Sequence, residues 1–311
     1  MKIALTGATG FLGRYIAERL DAGGHEIRAW ARPTSDRGGL PESIAWVEGG
    51  LRDPGSNRSL MEGCEAVVHA ALERPPGSFS AAARDEDLIP FLETNFLGSI
   101  RLMQDAFAMG VRRFVFIATC AVHDVILDDR PLDEAHPLWP RSHYGAHKAA
   151  LEAFVSSFGR GAGREICSLR PTGIYGLARP VEESKWADLI ARVGRGERVV
   201  CRGGGKEVHA ADVARAVEIL LNAEADQIRG EAFSCCDIPI ADRDVAEIAD
   251  ALAARGAEIE EARAYAPKNL IDTKKLRKLG MEFGGRPLLE RTVAEILQAL
   301  EANGFTASAK G

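Results

Sequence analysis

The chain begins Met1-Lys2-Ile3-Ala4-Leu5-Thr6-Gly7-Ala8-Thr9-Gly10-Phe11-Leu12-Gly13. Ile3, Ala4 and Leu5 make a short apolar run of the kind a buried strand carries. Gly7, Gly10 and Gly13 follow at i, i+3 and i+6. Leu12, Ile16 and Leu20 then recur at i, i+4 and i+8, with Tyr15 beside them, which is the face of a helix packing on a sheet. The order is therefore strand, glycine turn, helix. A pyrophosphate sits on a helix N-terminus only where backbone N–H groups approach it closely. Glycine lets the chain turn there without a Cβ in the way. This stretch reads as a dinucleotide site because the glycines follow a strand and open an amphipathic helix.

The remainder of the chain narrows the class. Its 311 residues can bury a large core, as one large domain or two closely joined ones. Hydrophobic residues make up 46% and charged residues 27%, an ordinary globular balance. A net charge of −6 with no basic block gives no electrostatic footprint for nucleic acid. No apolar run approaches the ~18 residues of a membrane span, and a strand at the start argues against a signal peptide. The six cysteines show no C-x-x-C spacing, so they read as reduced thiols of a cytoplasmic protein, with no metal site.

Further strands are expected at His25–Ala31, Ile44–Val47, Ala66–Ala71, Arg113–Thr119 and Ile166–Arg170, with a brief helix over Ser59–Gly63. Phe96, Ile100, Met103 and Phe107 give a helix over 95–109, closed by Gly110 and with Asn95 as its N-cap. Residues 73–87 read as a mobile polar loop and 306–311 as a frayed end. Strands alternating with helices predict an α/β, Rossmann-type doubly wound parallel sheet. Its ligands bind outside the carboxyl ends of the strands, where the strand order switches. Residues 1–170 form the dinucleotide-binding domain, which also receives about 205–225; residues 171–311 form a smaller C-terminal α/β substrate-binding cap. Within 171–311, Thr172–Gly205 reads as mixed loop and helix, and Val208–Asp212 as a return to the sheet. Helices are expected at Ala211–Ala223 and around Val245–Leu252 and Leu289–Leu300.

An acidic residue at the end of the second strand accepts hydrogen bonds from the ribose 2′-hydroxyl of NAD, whereas arginine pairs with the 2′-phosphate of NADP. Ala31 and Arg32 stand there, which favours NADP over NAD. Tyr144 and Lys148 are one helical turn apart and share a face with Leu151, Phe154, Val155 and Phe158 close by. A free tyrosine, with pKa about 10, is a poor base at neutral pH. A nearby ammonium favours the phenolate, which suits tyrosine to acid/base work on an alcohol–ketone pair. Thr119, at the end of the fifth strand, places a hydroxyl at the switch point.

These residues together resemble the extended short-chain dehydrogenases/reductases of the NAD(P)-dependent epimerase/dehydratase family, over nearly the whole chain. Thr6–Gly13 is similar to that family's T-G-A-T-G-F-x-G turn, and Gly49–Asp53 to its G-D-L-R-D segment. His69-Ala70-Ala71 resembles its H-x-A strand end and Ala118–His123 its S-S-x-x-V-Y. Tyr144–Lys148 resembles its Y-x-x-x-K, Arg170–Gly176 its R-P-x-x-V-Y-G, and His209–Val213 its H-V-x-D-V. The resemblance implies that Gly7, Thr9, Gly10, Phe11, Leu12 and Gly13 wrap the pyrophosphate. It places Leu51 by the adenine, Ala70, Ala71 and Asn95 along the cofactor, and Pro171 by the carboxamide. Tyr144 becomes the acid/base, Lys148 the group that bonds the nicotinamide ribose and tunes Tyr144, and Thr119 the orienter of the substrate hydroxyl.

Four positions depart from the family pattern. Gly50 replaces an aspartate, Ala118 a serine and His123 a tyrosine, and the arginine that many sugar-nucleotide enzymes carry before the H-V-x-D segment is absent. Gly203-Gly204-Gly205-Lys206 stands in its place. Glu73, His123, His143, Thr172 and Lys206 are the candidates for substrate contacts. The reading is an enzyme that moves hydride between nicotinamide and a secondary alcohol or ketone, favoured as a carbonyl reductase or dehydrogenase. Arg32-Pro33-Thr34-Ser35 is similar to the reductase branch around dihydroflavonol reductases. The alternatives are a nucleotide-sugar epimerase or dehydratase, and a non-catalytic NADP(H) sensor. A small-molecule substrate and a homodimer are expected. The dimer seam would use helices 95–109 and 144–159 with Phe96, Phe107, Phe154 and Phe158.

Overall fold

Apolar runs without alternation belong to strands covered on both faces, and such strands pair in parallel. The computed structural model, which describes residues 1–73 and 87–304, shows this arrangement. In chain order the elements are β1 (Lys2–Thr6), α1 (Phe11–Ala22), β2 (Glu26–Ala31), β3 (Ala45–Glu48), α2 (Ser56–Met61), β4 (Ala66–His69), α3 (Leu88–Phe91), α4 (Gly98–Ala108), β5 (Arg113–Ile117), α5 (His143–Ser156) and β6 (Glu165–Pro171). There follow β7 (Gly173–Tyr175), α6 (Ala187–Gly194), β8 (Val199–Cys201), β9 (Gly204–His209), α7 (Ala210–Asn222), α8 (Ala225–Ile228) and β10 (Glu231–Cys235). The last are β11 (Ile238–Ala241), α9 (Asp242–Ala253), β12 (Ile259–Glu261), α10 (Lys274–Lys278) and α11 (Gly285–Ala302).

Contacts divide the chain into two units. The first comprises Met1–Thr172, Val213–Cys235 and Ile271–Met281. It holds a seven-stranded sheet in the order β10-β6-β5-β4-β1-β2-β3, parallel at every pairing. Every residue of β4 and β5 is buried. The order reverses at β1: β2 and β3 step outward on one side, and the chain crosses back to lay β4 on the other. Ala4, Val67, Leu102, Phe114, Leu151 and Ile166 belong to one buried cluster between sheet and helices. Phe107 is part of that cluster and Phe158 packs against it, whereas Phe154 and Leu97 are exposed.

The second unit comprises Gly173–Asp212, Cys236–Leu270 and Glu282–Gly311. It has a three-stranded sheet in the order β11-β9-β7 and a two-stranded pair of β12 with β8. Ile190, Val193, Val245, Ala249, Val293 and Ile296 of α6, α9 and α11 share its core with Tyr175 and Ile240.

Several expectations need correction. The helix expected over 95–109 starts at Leu88 and runs through a π-helical stretch, Leu92–Leu97, into α4. Asn95 lies inside that stretch and is no N-cap. Gly110 does close the segment, at φ +81°. The brief helix covers Ser56–Met61. Thr172–Gly205 contains two short strands, β7 and β8, and runs into a third, β9. That third strand belongs to the three-stranded sheet, so Val208–His209 does not return to the large one. The strand that completes the large sheet, β10, is absent from the sequence reading. Residues 74–86 of the polar loop, and the chain end from 305, lie outside the described residues.

At the switch point two backbone segments touch. Gly7 has φ +78°, and a Cβ on it would come within 2.8 Å of the Ala71 nitrogen and 2.9 Å of the Ala70 carbonyl. A Cβ on Gly13 would lie 1.9 Å from the Gly7 oxygen. Nothing lies within 4 Å of a Cβ on Gly50. Gly13→Ala is therefore expected to destabilise the protein by about 2 kcal/mol or more despite alanine's better helix propensity. Gly50→Ala should stay within about 0.5 kcal/mol of wild type. Urea unfolding of the two variants checks both values.

Candidate active site

The first turn of α1 has the features of an anion site. Its N-cap is Gly10, no side chain caps it, and its first turn holds no acidic residue. The Gly10 N–H donates to the Gly7 carbonyl at 3.0 Å, and the first helical bond runs from Arg14 N–H to the Gly10 carbonyl. The N–H groups of Phe11, Leu12 and Gly13 precede that bond, so they have no intrahelical acceptor and point outward with the positive end of the helix dipole. Thr9 lies in the turn itself. With no Cβ on Gly7, Gly10 or Gly13, this cradle fits a dinucleotide pyrophosphate.

Hydrogen bonds fix the neighbouring strand ends. The Thr6 hydroxyl accepts the Ala71 N–H at 3.1 Å and meets His69 Nδ1 at 2.7 Å. His69 Nε2 meets the Ser99 hydroxyl at 2.8 Å, and Ser99 donates to the Asn95 carbonyl at 2.5 Å. Only one assignment satisfies every donor: Thr6 donates to Nδ1, and Nε2–H donates to Ser99. Burial holds His69 neutral, with its pKa lowered to about 3. The Asn95 amide accepts from Glu73 N–H at 2.8 Å and donates to the carbonyls of Glu73 at 3.0 Å and Phe91 at 3.1 Å. Asn95 thereby pins the segment leaving β4, where Ala70 and Ala71 lie. Thr6, His69 and Ser99 carry this network unassigned by sequence reasoning. The one usable signal is Ser99 four residues after Asn95.

Arg32 is exposed beyond β2, and its N–H donates to the Ser35 hydroxyl at 3.1 Å. Just downstream, the buried Arg14 reaches from α1 to the Gly38 carbonyl at 2.7 Å and to the Asp36 carbonyl and carboxylate at 2.7 and 2.9 Å. Leu51 is buried, and its carbonyl lies 2.9 Å from where a Cβ on Gly98 would stand.

Other expected site residues stand at or beyond the ends of β5 and β6 and at the start of α5. Thr119 has extended backbone, and its hydroxyl accepts the Ala121 N–H at 3.1 Å. Ser142 caps α5 by accepting the Gly145 N–H, which places His143 and Tyr144 in the first turn. A Cβ on Gly145 would stand 2.4 Å from the Ala121 carbonyl, so α5 packs directly on the segment after Thr119. Lys148 follows one turn later and is buried. Its ammonium donates to the Ile117 carbonyl at 2.7 Å and lies 4.5 Å from the centre of the Phe116 ring. Burial lowers its pKa from the usual 10.5 to about 7, with Glu152 opposing the fall. An ammonium has three N–H groups, and the bond to Ile117 uses one. At the end of β6, Pro171 is buried, and the Thr172 hydroxyl is enclosed without a hydrogen-bond partner.

The expected substrate contacts fare unevenly. Both nitrogens of His123 are engaged: Nδ1 donates to the Pro137 carbonyl at 3.2 Å and Nε2 accepts from Arg170 at 3.2 Å. Burial and the Arg170 charge lower its pKa to about 4. His123 therefore has no ring nitrogen open to a substrate, which corrects its place among the candidates. The Glu73 carboxylate pairs with Arg52. Lys206, in the second unit, donates to the carbonyls of Lys268 at 3.3 Å and Asn269 at 3.0 Å. None of the six cysteines is in a disulfide, and five are buried. No described helix is long and apolar enough to cross a membrane.

Comparison with known proteins bears on this arrangement. Residues 3–236 match the family described as the NAD dependent epimerase/dehydratase family. A UDP-glucose 4-epimerase of Streptomyces lividans is 26% identical over 69% of this chain and 70% of its own length. Tetraketide alpha-pyrone reductase 1 of Arabidopsis thaliana is 24% identical over 98% of this chain and 96% of its own. The crystal structure of a Thermus thermophilus UDP-glucose 4-epimerase in complex with NAD superimposes with a TM-score of 0.76 at 23% identity, covering 95% of this chain and 99% of that one. At that identity the likeness is one of fold.

The buried lysine makes stability depend on pH. Its folded pKa lies below its unfolded value, so between about 7 and 10.5 the unfolded chain binds more protons, and stability contributed by this group rises with pH across that window. The stability of wild type relative to Lys148→Met should therefore rise by roughly 3–5 kcal/mol from below pH 7 to above pH 10.5. Paired urea titrations across that range measure it.

Proposed function

We propose, for a chain that belongs to the NAD dependent epimerase/dehydratase family, that it interconverts a secondary alcohol and its ketone with Tyr144 as the acid/base. The observation that carries this reading is the stacking of Tyr144 and the buried Lys148 on one turn of α5, packed against the carboxyl end of β5. A nicotinamide, when bound, supplies the hydride acceptor or donor. Tyr144 takes the hydroxyl proton as the alcohol is oxidised and returns it to the ketone oxygen in the reverse direction. The Lys148 ammonium stabilises the phenolate and offers N–H groups to ribose hydroxyls. Thr119 orients the substrate oxygen. The cradle of Gly7–Gly13, the ends Ala70–Ala71 and Pro171, and Asn95 hold the cofactor, and Thr172 offers its hydroxyl beside it. Leu51 covers the adenine. Arg32, with no acidic residue at Ala31, supports NADP, whereas the epimerase structure compared above carries NAD.

For the net reaction, the relatives support epimerisation of a nucleotide sugar more than the carbonyl reduction favoured on sequence. A UDP-glucose 4-epimerase is among the relatives compared, at 26% identity. Of the two cations that could replace the missing clamp arginine, Lys206 already donates to two carbonyls, which favours a substrate without a diphosphate, whereas the exposed Arg202 is the one left for a diphosphate. Dehydration needs a further acid/base beside Thr119. His123, Glu73 and His143 are the candidates for that role, and His123 has both ring nitrogens engaged. The homodimer and the cytoplasmic location belong to the same proposal, with exposed Phe154 and Leu97 as the available part of the seam.

Purified protein is assayed with NADPH or NADH against small ketones, and for interconversion of UDP-glucose and UDP-galactose. Turnover is expected in one arm, and Tyr144→Phe should lower it about 10³-fold while leaving the cofactor Kd unchanged. Tight cofactor binding without turnover in any arm would replace this reading by the sensor.

A further inference from the structure

Tyr144, Lys148 and Glu152 lie at i, i+4 and i+8 of α5, so one helix face carries the phenol, the ammonium and a carboxylate in a row. Glu152 and Arg170 are almost fully enclosed, with side chains 5% and 4% exposed. Arg170 Nε meets the two carboxylate oxygens at 2.9 and 3.0 Å, and Nη2 donates to Oε2 at 2.5 Å. The other arm of the guanidinium donates to His123 Nε2 at 3.2 Å and to the Glu134 carbonyl at 3.3 Å. The Glu134 carboxylate in turn accepts the Ser234 N–H of β10 at 2.7 Å. The carboxylate is thus held from β6 and cannot swing away from α5.

Burying such a pair is costly, and two well-packed apolar side chains would often serve the fold as well. Its position suggests another use. Lys148 has lost its water, and the groups around it are few. Tyr144, His147 and Glu152 share its helix, His69 faces it from β4, and β5 offers the Phe116 ring and the Ile117 carbonyl. Both histidines are neutral, each with its pKa lowered to about 3. Glu152 is the group whose charge favours the ammonium.

We propose that Glu152, locked by Arg170, is a positioning residue that keeps the Lys148 side chain charged for its work on Tyr144. This rests on the function proposed above for Tyr144 and Lys148, but it is a statement about Lys148 and is testable without a substrate.

The test follows the Lys148 side-chain resonance by NMR in lysine-labelled protein across a pH titration, assigned by its loss in Lys148→Met. In wild type the midpoint is expected well below 10.5, near 7. In Glu152→Gln it should fall by about one pH unit. The double variant Glu152→Gln/Arg170→Met removes both charges and keeps the interior neutral; because the Arg170 charge opposes the ammonium, it should show a smaller fall in the same direction even where the single variant fails to fold. A midpoint unchanged from wild type in the folded double variant overturns the proposal. A fall of that size in a protein that turns over neither ketones nor UDP-sugars upholds it while the functional reading fails. Tyr144-dependent turnover with an unmoved midpoint refutes the positioning role alone.

Discussion

Everything in the first unit depends on one close approach. The turn after β1 and the segment after β4 meet backbone to backbone, with Gly7 against Ala70 and Ala71. No side chain fits between them. The parallel sheet creates this meeting because its strand order reverses at β1, which brings two loops to the same edge. The glycine turn then leaves the start of α1 bare, and its N–H groups become a place for negative charge. The residues proposed to face cofactor and substrate from this unit are arranged around that fixed point.

Polar groups near it are held by complete hydrogen-bond chains. Thr6, His69, Ser99 and Asn95 pass donors and acceptors along without a gap, from the end of β1 to the helical segment after β4. Such chains are rigid because breaking one link leaves a buried group unsatisfied. Lys148 is the exception in kind. It is a buried cation whose charge is opposed by its surroundings. In the function proposed above it is the charged form that favours the Tyr144 phenolate.

The parts of the fold visible in the sequence are those set by local rules. The strand–turn–helix at the N-terminus is legible because a glycine's steric demand acts within a few residues. Tyr144 and Lys148 are legible because helical periodicity puts them on one face. Asn95 misleads because Pro90, five residues upstream, sits in the first turn of α3, where proline does not stop a helix; the helix runs on through a π-helical stretch. The strands β7 and β8 have three residues each, too few for a period to register. The Glu152–Arg170 pair spans 18 positions and two elements, so nothing local announces it. His123 invites a reactive role because its type suits catalysis. Only the packing reveals that both its nitrogens are engaged.

Arg14 fastens the loop after β2 at Asp36 and Gly38, from inside the molecule. The exposed stretch from Arg32 to Thr34 lies between that anchor and the buried end of the strand. Its charge can drift through mutation without loosening the loop, since surface positions between two fixed points carry little of the packing. In the function proposed above, preference between the two nicotinamide nucleotides is then an evolvable trim on this scaffold, adjustable by exchange of a few solvent-facing residues while the interior stays as it is.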